Sequence, residues 1–272
     1  MGCYRPLAVK PVAPHPANSP VRFNVLGTAV SALSLDEARD LVLAARGRQH
    51  LGYICVSGVH GVSEARRDPA FRKILNAAWL NTPDGMPLVW LGRGHGHKNI
   101  TRVYGPDLML AVCDAGRAAG LTHYFYGGAP GVAELLRDKL CARFPGLSVA
   151  GTFTPPFREL TADELAGLRA DVAAGRPDIL WVGLSTPKQE KFMAAHAQLL
   201  DAGLLIGVGA AFDFHSGRVR QAPRWMQRSG LEWFFRFCTE PRRLWRRYLV
   251  NNPMFVIRTF AQLTGLKKYP LD

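Results

Sequence analysis

Two kinds of hydrophobic pattern alternate along the chain. Short apolar runs at 53–57, 122–126, 148–152, 178–184 and 204–208 have the length and residue types of buried strands. The stretches between them place apolar residues every three or four positions, which predicts helices. One opens at Ser34, with Asp36 and Glu37 in its first turn, and runs to about Arg46 before Gly47. Gly58 and Gly61 flank the turn into a second, ending near Ala78. Others follow at 132–144, at 160–174 (opened by Thr161 and Glu164) and at 188–200. Short apolar strands alternating with amphipathic helices predict an α/β fold: a Rossmann-like, mostly parallel sheet with helices on both faces. Ligands of such sheets bind beyond the carboxyl ends of the strands.

The two ends of the chain depart from this pattern. Residues 1–20 hold five prolines and no hydrophobic period, and are expected to be a disordered tail. The α/β core is expected over 21–215. From 216 to 272 arginine and aromatic residues mix, with Arg242/Arg246 and Arg243/Arg247 at helical spacing and Leu244 and Tyr248 on one face. Glu232 and Arg236 have the spacing of an i,i+4 helix pair. This region is expected to be a basic, aromatic-rich helical appendage, either a cap with solvated arginines or a surface for a membrane interface or a diphosphate.

Charge sharpens that division. The chain carries +13, and ten Arg and two Lys against three acids from Ser216 onward give +9 to the last fifth, leaving +4 for the rest. So concentrated a positive charge points to polyanions: nucleic acid, anionic lipid or phosphates. The longest nearly uninterrupted apolar run, 204–212, is far short of the ~20 residues that span a bilayer. The first residues lack the apolar segment of a secretory signal, and Pro6 stands where a myristoylation signal after Met1-Gly2 has Ser or Thr. Five widely spaced cysteines with no CxxC argue against a disulfide framework or a zinc site and fit a reducing cytoplasm.

Candidate chemistry gathers in four loops. Asn81-Thr82-Pro83-Asp84-Gly85 is either a turn or a placed carboxylate that takes a proton from an attacking hydroxyl. Tyr126-Gly127-Gly128-Ala129-Pro130-Gly131 joins a strand to a helix, where glycines let backbone amides approach a phosphate. The others are Gly183-Leu184-Ser185-Thr186-Pro187-Lys188-Gln189-Glu190 and Gly207-Val208-Gly209-Ala210-Ala211-Phe212-Asp213. Four such loops at equivalent strand ends suggest a nucleotide cleft. No Asp-x-Asp pair is present to hold a metal on a sugar nucleotide, and His95-x-His97 has no acidic neighbour, so no metal is expected. Arginines can neutralise a diphosphate leaving group instead.

Taken together, the motifs resemble the WecG/TagA/CpsF glycosyltransferases. The resemblance rests on these loops and on Ala65-Arg66-Arg67-Asp68-Pro69, Arg102-Val103-Tyr104-Gly105-Pro106-Asp107-Leu108, Gln221-Ala222-Pro223 and the run from Glu240 to Tyr248, in order over about 23–260. It implies an inverting, metal-independent and cofactor-free transfer from a UDP-sugar to a polyprenyl-diphosphate-linked saccharide. The enzyme would be cytoplasmic and peripheral on the inner face of the cell membrane, held to an anionic surface. Asp84 is implied as the catalytic base, with Ser57 nearest to a family threonine. Because Val56-Ser57-Gly58 lacks the family's usual Thr-x-Asn, Ser57 is the weaker transfer. Arg102 and Gln189 match positions expected to contact the donor. The remaining donor-side candidates are Gly105, Asp107, Gly127, Gly128, Gly183, Pro187, Glu190, Gly209 and Asp213. Arg236, Arg242, Arg243, Arg246 and Arg247 are expected to reach diphosphates and membrane.

Family members differ in donor sugar. The Gly58-Val59-His60-Gly61 loop departs from the teichoic-type pattern, which leans the expectation toward exopolysaccharide or capsule assembly, with N-acetylmannosaminyl transfer as the alternative. A homo-oligomer is left open. A nucleic-acid-binding protein, suggested by pI ≈ 10.0, would leave Asp84 and the four loops without a purpose, so nucleic acid is not an expected partner. A dinucleotide oxidoreductase would need a glycine fingerprint and a ribose-binding acid that the chain lacks.

Overall fold

The computed structural model describes residues 20–271, apart from the side chains of Arg243, Arg246 and Arg247. Apart from Pro20, the expected tail therefore lies outside the described residues. A hairpin of β1 (Arg22–Val25) and β2 (Thr28–Ser31) leads into α1 (Leu35–Ala44), β3 (Gly52–Ser57), α2 (Val59–Arg67), α3 (Pro69–Ala77), β4 (Leu80–Pro83), α4 (Met86–Gly94) and α5 (Gly105–Gly116). Next come β5 (Thr122–Gly127), α6 (Val132–Arg143), β6 (Ser148–Phe153), α7 (Ala162–Gly175), β7 (Ile179–Gly183), α8 (Lys188–His196), β8 (Leu204–Gly207) and α9 (Ala211–His215). The chain closes with α10 (Arg224–Arg228), α11 (Glu232–Thr239), α12 (Pro241–Leu249) and α13 (Asn251–Leu263).

Six strands form one sheet in the order β4-β3-β8-β7-β5-β6, and every pair in it is parallel. Strand alternation divides its side chains between two cores. Ile54, Phe125, Trp181 and Ile206 point to the face covered by α1, α5 and α6. Tyr53, Cys55, Tyr124, Leu180 and Leu205 point to the face covered by α3, α7 and α8. This is the expected Rossmann-like arrangement. Ser34 and Thr161 cap α1 and α7 as their sequences predict, each in a reciprocal box with the glutamate three residues on.

Besides α4 and α5, which the sequence reading did not include, two features differ from expectation. The single helix read up to Ala78 is two, broken at Asp68, whose side chain accepts from the Phe71 amide to start α3 with Pro69 in its first turn. A proline ring forbids continuation of the preceding helix, so the break follows from local chemistry. The hairpin β1–β2 is also absent from the sequence reading. It packs Phe23, Val25 and Val30 against α2, α4 and the chain's end, where Phe255 and Tyr269 are buried in the same cluster. Asn24 donates to the Tyr269 carbonyl, and Gln262 bonds Asn24 and Leu26 across the gap. The C-terminal helices are thereby tied to the N-terminal hairpin. Among the described residues, no helix is long and apolar enough to cross a membrane.

Candidate active site

The carboxyl ends of β3, β4, β5, β7 and β8 open into one cleft of about 1720 Å³, walled opposite by residues of α9, α11 and the start of α13. Its position follows from topology. The chain runs outward from β3 to β4 at one edge, then fills the other side from β5 to β8, leaving a crevice where the strand order reverses.

Ser57 ends β3, is buried, and its carbonyl accepts the Asp84 amide at 2.8 Å. That bond extends the β3–β4 register by one residue and fixes Asp84 beyond the strand, in the cleft wall. The Asp84 side chain remains 29% exposed, so substrate can reach it. Its Oδ1 accepts from Arg102 Nε and Nη2 at 3.4 and 3.3 Å. Arg102 itself does not line the cleft; its guanidinium is stacked 3.9 Å from the centre of the Tyr104 ring. A second carboxylate, Glu232 of α11, accepts from Arg102 Nη2 through Oε2 and from the Tyr104 hydroxyl through Oε1 at 2.8 Å. Burial works against the charge on Arg102, but Asp84 and Glu232 outweigh it and hold its pKa above the ordinary arginine value. Burial and the neighbouring carboxylate likewise raise the Tyr104 phenol, which stays a donor.

The glycine loops sit together at the other strand ends. Gly127 pairs with Gly183 in the β5–β7 register, and the Gly128 amide donates to the Gly183 carbonyl at 3.1 Å. Gly127 has φ +136°, and an added Cβ there would lie 2.6 Å from the Gly183 carbonyl oxygen. Only glycine lets the two backbones meet this closely. Gly128, Gly183 and Gly209 line the cleft, as does Gly105 at the start of α5. Gln189, almost fully buried at the cleft floor, accepts the Gly209 amide at 3.0 Å and donates to Glu190 Oε1. Thr186 Oγ1 also donates to that oxygen at 2.8 Å. Burial pushes the Glu190 carboxyl pKa up, against those two bonds. The third and fourth loops are therefore linked through one glutamine.

Several expected residues are placed elsewhere. Asp107 pairs with Arg224 at 3.2 Å outside the cleft, and Pro187 caps α8 without lining it. Asp213 lines the cleft while its carbonyl closes the turn to Arg218 and Val219. Arg236 reaches the cleft, 5.9 Å from the Phe214 ring centroid, and its ion pair is with Glu240 at 3.9 Å, whereas Glu232 turns to Arg102. The spacing of Glu232 and Arg236 thus does not describe their partners. Arg242 is exposed on α12, away from the cleft, and the side chains of Arg243, Arg246 and Arg247 lie outside the described ones.

Sequence reasoning missed Glu232 and Tyr104 as site residues, and among the basic side chains in the cleft it missed Arg67, Arg158, Lys191 and Arg218. Glu232 carried a signal, being one of three acids in a strongly basic segment, but nothing in the sequence said which arginine it meets. His95 and His97 flank the Phe23 ring at 5.7 Å each, in the hairpin cluster. Among the described residues, no group of three His, Cys, Asp or Glu side chains is placed to hold a metal ion.

Known proteins match this arrangement over most of its length. The chain is 31% identical to an N-acetylglucosaminyldiphosphoundecaprenol N-acetyl-beta-D-mannosaminyltransferase of Bacillus spizizenii over 193 residues, 71% of this chain and 72% of the relative. It is 29% identical to the protein of the same name from Bacillus subtilis over 205 residues, 75% and 77% of the two chains. The profile of the Glycosyl transferase WecG/TagA/CpsF family matches residues 23–269, from the hairpin through the last helix. The chain belongs to that family and is a glycosyltransferase.

Proposed function

We propose that the enzyme transfers N-acetylmannosamine from its UDP donor to N-acetylglucosamine carried on undecaprenyl diphosphate, with inversion and without a metal. The observation that carries this reading is Asp84: a partly exposed carboxylate fixed at a strand end, in a cleft that also holds the glycines of the neighbouring strand ends and several basic side chains. In the reaction, Asp84 accepts the proton of an acceptor hydroxyl as its oxygen bonds to the anomeric carbon of the donor sugar. The bond from that carbon to UDP breaks, and the electron pair leaves with the diphosphate. Arg218 and Arg236, both in the cleft wall, are suited to neutralise the departing charge. Gln189 and the closely packed backbone of Gly128, Gly183 and Gly209 line the side of the cleft proposed to take the donor.

The two relatives are named for N-acetylmannosamine transfer, which favours that donor over the exopolysaccharide sugars suggested by the Gly58–Gly61 loop. In the structure, Gly58 caps α2 and Gly61 lies inside it, and Gly58, His60 and Gly61 line the cleft.

The acceptor's lipid requires access to a membrane, and the C-terminal helices are suited to it. Trp233, Phe234, Trp245, Val256, Ile257 and Phe260 are exposed in a region carrying +9. Aromatic and basic side chains together favour an anionic interface, and the enzyme is proposed to lie peripherally on the cytoplasmic membrane face. The test is UDP release from UDP-N-acetylmannosamine with and without a polyprenyl-diphosphate N-acetylglucosamine acceptor, against UDP-N-acetylglucosamine, UDP-glucose and UDP-glucuronate. Acceptor-dependent release with the first donor is expected. Preference for UDP-glucuronate or UDP-glucose would return the exopolysaccharide reading.

A further inference from the structure

The structure assigns Glu232 a positioning role in the reaction: it holds Arg102 so that this guanidinium steers Asp84 without clamping it. The inference rests on the reading of Asp84 as the base. Its basis is an unequal sharing of one cation. Arg102 gives Glu232 its shortest bond, while its two contacts to Asp84 are long, at 3.3 and 3.4 Å, and fall on the same oxygen, Oδ1. An arginine with a single carboxylate partner prefers a bidentate fork across both oxygens. Such a fork on Asp84 would occupy the oxygen that takes the acceptor's proton. Glu232 is well placed to prevent it, because its own carboxylate is held at the other oxygen by the Tyr104 hydroxyl, and Tyr104 also supports the guanidinium from below.

The surroundings of Glu232 show that this is not an incidental surface pair. Its side chain is 13% exposed, although its neighbours Trp233 and Phe234 are 39% and 48% exposed on the same short helix. An acid has been turned inward from an otherwise basic, outward-facing segment to meet a residue 130 positions earlier in the chain. The pair also ties the register of α11 to the base. The helix that brings Arg236 to the cleft cannot shift without moving the group that steers Asp84.

The experiment compares the full-length wild type with Glu232→Ala, Glu232→Gln, Tyr104→Phe, Arg102→Ala and the Arg102→Ala/Glu232→Ala double variant. It measures kcat and donor KM by acceptor-dependent UDP release, and thermal unfolding by circular dichroism. Loss of positioning at a reacting group costs on the order of 100-fold. Glu232→Ala is therefore expected to lower kcat about 10- to 100-fold with donor KM within about threefold of wild type. Glu232→Gln should lie between the two, because an amide offers only one acceptor oxygen to the two donors. Because Glu232 acts through Arg102, the double variant should be no slower than Arg102→Ala. If Glu232→Ala does not fold, Tyr104→Phe carries the test: loss of one hydrogen bond to Glu232 should reduce kcat about two- to tenfold. The inference is overturned if Glu232→Ala keeps kcat within twofold of wild type, if the two losses multiply, or if Tyr104→Phe changes nothing. A wild type that turns over while these variants match it overturns this inference alone. A wild type with no acceptor-dependent turnover overturns the proposed function and this inference with it.

Discussion

Gly127→Ala should be among the most damaging single-methyl additions at the cleft, for reasons that can be worked from the backbone. At φ +136° an alanine is strained, a cost of about 1–3 kcal/mol. Its Cβ would also stand 2.6, 2.7 and 2.8 Å from the oxygen, carbonyl carbon and Cα of Gly183. These are backbone atoms of the paired strand, which cannot rotate away, so β5 and β7 must part by several tenths of an ångström. Overpacking of this kind costs a further ~1–3 kcal/mol, for a total of roughly 2–6 kcal/mol. Gly131→Ala is the matched control: φ is +81°, but nothing lies within 4 Å of its added Cβ, so only backbone strain of about 1 kcal/mol remains. Urea unfolding reads the difference as a larger fall in midpoint for Gly127→Ala with an unchanged slope. Calorimetric titration with UDP should show a second effect. Separating the strands displaces Gly128 and Gly183, both in the cleft wall, so affinity should fall for Gly127→Ala more than for Gly131→Ala. Equal stability and equal UDP affinity in the two variants would refute the claim that glycine is needed here to bring two backbones together.

Three further outcomes are expected. His123, fully buried, accepts the Trp181 indole N–H at 3.1 Å, and burial lowers its pKa to about 4 against the opposing charge of Asp178. Its neutral form is favoured on folding, so its contribution is complete above the unfolded value of about 6.5 and is lost as pH falls toward 4. Unfolding midpoints measured across pH 4–7 should show this decline flattened in His123→Asn, and identical profiles would contradict it. Turnover should persist in EDTA if, as proposed, Arg218 and Arg236 neutralise the diphosphate; inactivation that magnesium or manganese reverses would count against that. Replacing Ile257 and Phe260, both 63% exposed, by glutamate should weaken flotation with anionic liposomes and leave thermal unfolding unchanged; undiminished flotation would show that α13 does not face lipid.

The parts of the fold legible in the sequence are those set by local pattern. The sheet strands that alternate or run apolar, and helices capped by Ser34 and Thr161, stand where the sequence places them, because strand burial and helix caps depend on neighbouring residues. Asp68-Pro69 carried a legible break that the long amphipathic period of that region masked. The hairpin β1–β2 was not legible because Phe23 and Val25 are buried by Phe255 and Tyr269, more than 200 residues away. The same limit applies to the site. Asp84, Gln189, Gly128, Gly183 and Gly209, which line the cleft, could be read as candidates because each lies in a short motif at a strand end. The partner of Arg102 could not, because the pairing joins a loop of the core to a helix of the appendage. Arg102, which reads in sequence as a donor contact, is bonded in the structure to Asp84 and Glu232.

The central claim is that Asp84 removes the acceptor's proton. The most direct measurement is Asp84→Asn, assayed for kcat and donor KM by acceptor-dependent UDP release. Asparagine keeps the shape and one acceptor for Arg102 but cannot take a proton, so kcat should fall about 10²–10⁴-fold while donor KM and thermal unfolding change little. Retention of more than about half of the wild-type kcat would contradict the assignment, since loss of a general base should cost about 100-fold or more.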